Sequence, residues 1–85
     1  NYAKGLQYSL SAIDELEKRN LKEELKLSYN SLAKAYYNIN AFDKATDFYL
    51  KALEIQEQLN DVDGINESNR YLAELYSIKN EQQSK

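Results

Sequence analysis

A chain of 85 residues with a net charge of −3 and 42 % hydrophobic side chains suffices for one small domain, its core near the lower limit for independent stability. Histidine and cysteine are both absent, which excludes disulfides, thiolate and imidazole metal sites, cysteine nucleophiles and the commonest general base. The charges of both signs are interspersed rather than gathered on a basic face, and no apolar run approaches the ~20 residues of a membrane span, so neither nucleic-acid binding nor membrane insertion is expected.

Proline is missing and glycine occurs only twice, while Leu, Ala, Lys, Glu and Gln abound; an all-α chain follows. Residues 2–19 carry one apolar stripe, Tyr2, Gly5, Leu6, Ser9, Ala12, Ile13 and Leu16, at helical spacing. Asn20 is expected to end this helix and cap the next, with Glu23 completing a capping box. The second helix, 21–38, has Leu25, Tyr29, Leu32 and Tyr36 on one face, flanked by Ala33 and Ala35. Its opposite face holds Glu23, Leu27, Asn30, Lys34 and Tyr37, and a surface helix buried on one side does not need Leu27 and Tyr37 on the other. Asn38-Ile39-Asn40 reads as a tight turn, because Asn tolerates the left-handed conformation that ends helices.

The third helix, 41–59, turns Phe42, Ala45, Phe48, Tyr49, Ala52, Leu53 and Ile55 inward and offers an Asp47–Lys51 pair on its wet side. Asn60 to Gly64 forms the next turn, with Asp61 or Asp63 as the cap. Asp61-x-Asp63 is no calcium loop, since Ile65, Asn66 and Leu72 stand where ligand, glycine and glutamate are needed. The fourth helix, 62–79, repeats the second through Ile65, Leu72, Ala73, Leu75, Tyr76 and Ile78, and the polar tail 81–85 is expected to fray from Asn80 onward.

Laying residues 1–40 over 41–80 exposes an internal repeat. Lys4/Lys44, Leu10/Leu50, Ala12/Ala52, Asn20/Asn60, Ser28/Ser68, Leu32/Leu72, Ala33/Ala73 and Tyr36/Tyr76 are identical, and Tyr8/Phe48 is conservative. Large, small and aromatic residues recur at intervals of three and four, as two antiparallel helices require where their axes close and open. In Tyr29-x2-Leu32-Ala33-x2-Tyr36 followed by Ala45-x3-Tyr49, the pattern resembles the tetratricopeptide repeat (TPR). The forty-residue period exceeds the roughly 34 usual there and is similar to the extended variant of bacterial regulators.

The resemblance implies antiparallel helix hairpins in a right-handed α-solenoid. Residues 1–20 would be the second helix of a preceding repeat, 21–60 a complete repeat and 61–80 the first helix of the following one. With Asn1 opening mid-pattern, the chain reads as a segment of a longer protein. First helices of such repeats line a concave groove for a peptide or partner helix. Carried over residue by residue, the groove comprises Leu27, Asn30, Lys34, Tyr37 and Asn38, with Glu67, Arg70, Glu74 and Ser77 from the next first helix. Asn30 and Lys34 would suit a clamp for a terminal carboxylate, but Ser31 and Tyr71 depart from it and Glu74 opposes it. A mixed-charge peptide or helix is the expected ligand of a non-catalytic, cofactor-free protein–protein interaction scaffold in a bacterial signalling or regulatory protein. The alternative is a self-associating module, since the first and last helices each leave an apolar stripe uncovered; copies would stack head to tail or exchange end helices.

Overall fold

Three asparagines spaced twenty residues apart set the corners of the molecule. Asn20, Asn40 and Asn60 adopt left-handed backbone conformations, with φ of 56°, 64° and 57°. At each, two bonds close a Schellman motif. The N–H of Asn20 donates to Glu17 O (3.1 Å) and that of Leu21 to Leu16 O (3.1 Å). Asn40 and Ala41 repeat this on Tyr37 and Tyr36, as do Asn60 and Asp61 on Glu57 and Gln56. The residue after each asparagine then starts the next helix: the carbonyls of Leu21, Ala41 and Asp61 accept from Leu25, Ala45 and Ile65.

The computed structural model describes the backbone of residues 2–83 and the side chains of residues 10–81. It consists of α1 (Tyr2–Arg19), α2 (Lys22–Asn38), α3 (Phe42–Gln58) and α4 (Val62–Gln83), with no strand among the described residues. Each helix packs on its neighbours in sequence, α1 on α2, α2 on α3 and α3 on α4. The assembly measures 44 × 33 × 16 Å, and its short dimension holds two helices.

The predicted spans hold to within a few residues, and several expectations change. Asn20 supplies no cap: α2 begins after Leu21, whose side chain makes no capping bond, so the capping box with Glu23 does not form. The asparagine's contribution is instead the left-handed corner. α4 does not stop at residue 79 but runs to Gln83, so the tail from Asn80 is helical that far; residues 84 and 85 lie outside the described residues. Lys51 places its ammonium over the rings of Phe48 (5.4 Å) and Tyr29 (5.8 Å) rather than toward Asp47.

The core is the contact zone of α2 with α3, continued by Ile13 at one end and by Leu72 and Leu75 at the other. Leu32, Ala33, Ala45, Tyr49 and Ala52 are sealed from solvent, and the alanines let the two axes approach. Phe48 fills the wider part, stacked on Tyr36 (5.6 Å, 10°) and tilted against Tyr29 (6.0 Å). Repeat partners differ sharply at the two ends. Tyr36 is 7 % exposed and Tyr76 47 %. Ala33 and Ala52 are buried, but Ala73 and Ala12, expected in the core, are exposed. A position is covered only where a neighbouring helix faces it, and among the described helices α1 and α4 pack on one neighbour each. Tyr2, Gly5, Leu6 and Ser9 of the predicted α1 stripe lie outside the described side chains.

Two polar arrangements join α3 to α4. Ser68 Oγ donates to Gln56 Oε1 at 2.7 Å, with both residues about as buried as the apolar core. Asp61 caps α4 by accepting from the Gly64 N–H (3.2 Å), and its other oxygen meets Lys26 Nζ of α2 at 3.1 Å. A Cβ on Gly64 would fall 2.2 Å from Asp61 Oδ2, so any larger residue there pushes the capping carboxylate aside.

Candidate functional site

The face shared by α2 and α4 gathers most of the residues singled out by the sequence. On α2, Lys34 and Tyr37 stand three apart and therefore point the same way. On α4, Glu67, Tyr71 and Glu74 follow the same three- and four-residue spacing. With α3 between them, the two helices are joined by side chains alone. Lys34 Nζ meets Glu67 Oε1 at 3.4 Å, and Tyr37 donates its hydroxyl to Glu74 Oε1 at 2.6 Å. Lys26, whose side chain is only 16 % exposed, adds a third bridge to Asp61 and also pairs with Glu23 at 3.2 Å.

Beneath these bridges lies an aromatic floor. Tyr37 packs edge-on against Phe42 (5.7 Å) and Tyr71 (6.2 Å). Tyr71 in turn stacks on the buried ring of Tyr49 (4.9 Å, 8°). Arg70 folds its guanidinium over Tyr71 at 5.4 Å. Tyr37 is therefore half inside the structure: it packs on the core while its hydroxyl reaches Glu74 on α4.

Of the remaining residues assigned to the groove, Leu27 stands 62 % exposed, a large apolar side chain offered to solvent. Asn38 and Ser77 are exposed and Asn30 is half-buried. None of these four takes part in the α2–α4 bridges among the described residues. Sequence reasoning passed over Tyr71, Lys26 and the Gln56–Ser68 pair. Tyr71 could have been found from its helical spacing to Glu67 and Glu74. Lys26 and Gln56 carry no such local signal, because each meets its partner only across the fold.

The electrostatics follow from these contacts. The hydrogen bond to Glu74 raises the Tyr37 phenol above its ordinary range, ahead of desolvation, so Tyr37 stays a hydrogen-bond donor. Hydrogen bonds from Lys26 and the Gly64 N–H hold the Asp61 carboxyl below its usual value. Asp61 and then Glu23 raise Lys26 correspondingly. The α2–α4 bridges involving Lys34 are solvent-exposed, and exposed pairs contribute only ~0.2–1 kcal/mol each, so an incoming charged ligand can exchange with them.

A concavity of about 330 Å³ opens between the ends of α1 and α3, above Tyr29. Glu17, Lys22, Lys51 and Glu54 ring it, so it is mixed in charge. Burial first, then the carboxylates of Glu17 and Glu54, push the Tyr29 phenol up to about 12. Exposed i,i+4 pairs, Asp14–Lys18 (3.3 Å) and Glu15–Arg19 (3.4 Å), occupy the solvated turn of α1. No helix among the described residues is long and apolar enough to cross a membrane. Compared with protein-family models, curated proteins and solved structures, the chain gives no match.

Proposed function

We propose that this chain is a stretch of TPR-type α-solenoid acting as a non-catalytic protein–protein interaction scaffold, with the α2–α4 face receiving a peptide or partner helix of mixed charge. The observation that carries the reading is the arrangement of that face. Two helices joined by side chains alone present Lys34, Arg70, Glu67 and Glu74 in alternating sign over the rings of Tyr37 and Tyr71. Rigid aromatics rimmed by exchangeable charges supply the anchor-and-rim arrangement typical of interfaces. Leu27, exposed on the same helix, adds an apolar contact that the isolated fold has no use for.

The absence of histidine and cysteine from the sequence supports the non-catalytic part of the reading, since a carboxylate mechanism would need a pocket that shifts an acid's pKa upward. A bacterial signalling or regulatory protein is the setting that the extended repeat period suggests.

The experiment is a selection of binders from a displayed peptide library, followed by calorimetry on the tightest. Lys34→Ala and Tyr37→Ala should each weaken that peptide by roughly tenfold or more, the loss expected for a groove anchor, with the circular dichroism spectrum unchanged. Normal affinity in both folded variants would remove the assignment of this face.

A further inference from the structure

The Tyr49 hydroxyl is sealed inside the molecule with no hydrogen-bond partner among the described residues. A buried hydroxyl left unpaired weakens a fold, and phenylalanine would fill the same space without that cost. Such an atom in the core asks for a use outside packing. Its position suggests one, because the Tyr49 ring lies flat against Tyr71 of the α2–α4 face (4.9 Å, 8°). Burial first, then the Tyr71 phenol, Glu67, Tyr37 and Glu74, raise the Tyr49 phenol above its ordinary range, so the groups of that face act on its oxygen.

Tyr71 covers this oxygen as a plug rather than as core. It is half-buried, holds its place by ring contacts with Tyr49 and Tyr37, and makes no hydrogen bond among the described residues. Glu67 and Glu74 flank it on α4, about one turn to either side, and both are exposed. The chain's own groups already occupy these elements: Lys34 meets Glu67, Tyr37 donates to Glu74, and the Arg70 guanidinium lies over the Tyr71 ring at 5.4 Å. Resting on the reading of this face as a peptide site, we infer that its anchor is an arginine side chain of the partner. The arginine displaces the Tyr71 ring and sets its guanidinium on Tyr49, between Glu67 and Glu74 and within reach of the unpaired hydroxyl. A guanidinium is flat, so it fits the slot that a phenol ring leaves, and it stacks on aromatic faces. Its five donors and lack of acceptors match two carboxylates and a phenol oxygen. A lysine ammonium is a compact, hydrated point charge without a stacking plane, and a carboxylate would be repelled by Glu67 and Glu74.

Two displayed peptide libraries test this, identical except that the central residue is fixed as arginine in one and glutamate in the other. The tightest binder of the full chain should come from the arginine library. In calorimetry, replacing that arginine by glutamine should weaken the peptide by about tenfold or more, and lysine should not restore it. Tyr49→Phe should melt no lower than the wild type and yet bind the arginine peptide roughly tenfold more weakly, the loss of one hydrogen bond to a charged group. A tyrosine kept only for packing would not separate the two readouts in that direction. A Tyr49→Phe chain that binds normally or melts lower, an unchanged affinity of the glutamine peptide, or tighter binders from the glutamate library would each overturn the inference. In those cases weaker binding by Lys34→Ala and Tyr37→Ala still upholds the face as a peptide site. No binder from either library, or binders indifferent to both of those variants, would remove that reading and this one with it.

Discussion

Tyr49→Phe should stabilise this protein. The Tyr49 side chain is completely buried, and its hydroxyl has no hydrogen-bond partner among the described residues. Burying a hydroxyl without a partner costs about 1–3 kcal/mol by mutational comparison. Removing the oxygen forfeits a few dispersion contacts of ~0.1–0.2 kcal/mol each, which offsets less than ~1 kcal/mol. The ring itself, stacked on Tyr71 at 4.9 Å, keeps its packing. The net gain is ~0.5–2 kcal/mol, and for a domain of this size each kcal/mol raises Tm by about 4–8 °C. Thermal melts and urea titrations followed at 222 nm by circular dichroism measure it. Tyr29→Phe is the control. Its ring is also buried, but its phenol feels the nearby Glu17 carboxylate and is not among the buried, unpartnered polar atoms, so that substitution should bring no gain. A Tyr49→Phe chain less stable than the wild type by ~1 kcal/mol or more would refute the reasoning, because the hydroxyl would then have to be hydrogen-bonded.

Stability should also fall in alkali, and the sign follows from the same residues. Tyr29 is pushed up to about 12 and Tyr49 higher still, against ~10 in an unfolded chain. The stability they contribute is fully present below pH ~10 and is lost as pH rises from there through the folded values, because the unfolded chain sheds these protons first. Urea titrations between pH 8 and ~12 should give a shallower decline for the Tyr29→Phe/Tyr49→Phe double variant, and equal declines would contradict the assignment. Ser68→Ala leaves Gln56 Oε1 without its donor inside the core and should cost ~1–3 kcal/mol by chemical denaturation; a change below ~0.5 kcal/mol would mean the pair is dispensable.

The sequence by itself determined the helices and the corners. Their causes are local: helix formers without proline, apolar residues at helical spacing, and an asparagine turn at residues 38–40 that accepts a left-handed backbone, a conformation the structure shows at Asn20 and Asn60 as well. It also marked the central core, since Leu32, Tyr36, Ala45 and Tyr49 sit on stripes that two antiparallel helices must bury against each other. Lys34, Tyr37, Glu67 and Glu74 were legible as residues off those stripes, but not as partners, because an ion pair or hydrogen bond between residues 33 or 37 positions apart has no local signature. Gln56 and Ser68 were not among the residues assigned to the core from the sequence, and the fold buries both. Tyr36 and Tyr76 are one residue type at one repeat position, and the fold buries the first and exposes the second. Burial is a property of the neighbouring helices rather than of the residue, so only the tertiary structure could assign it.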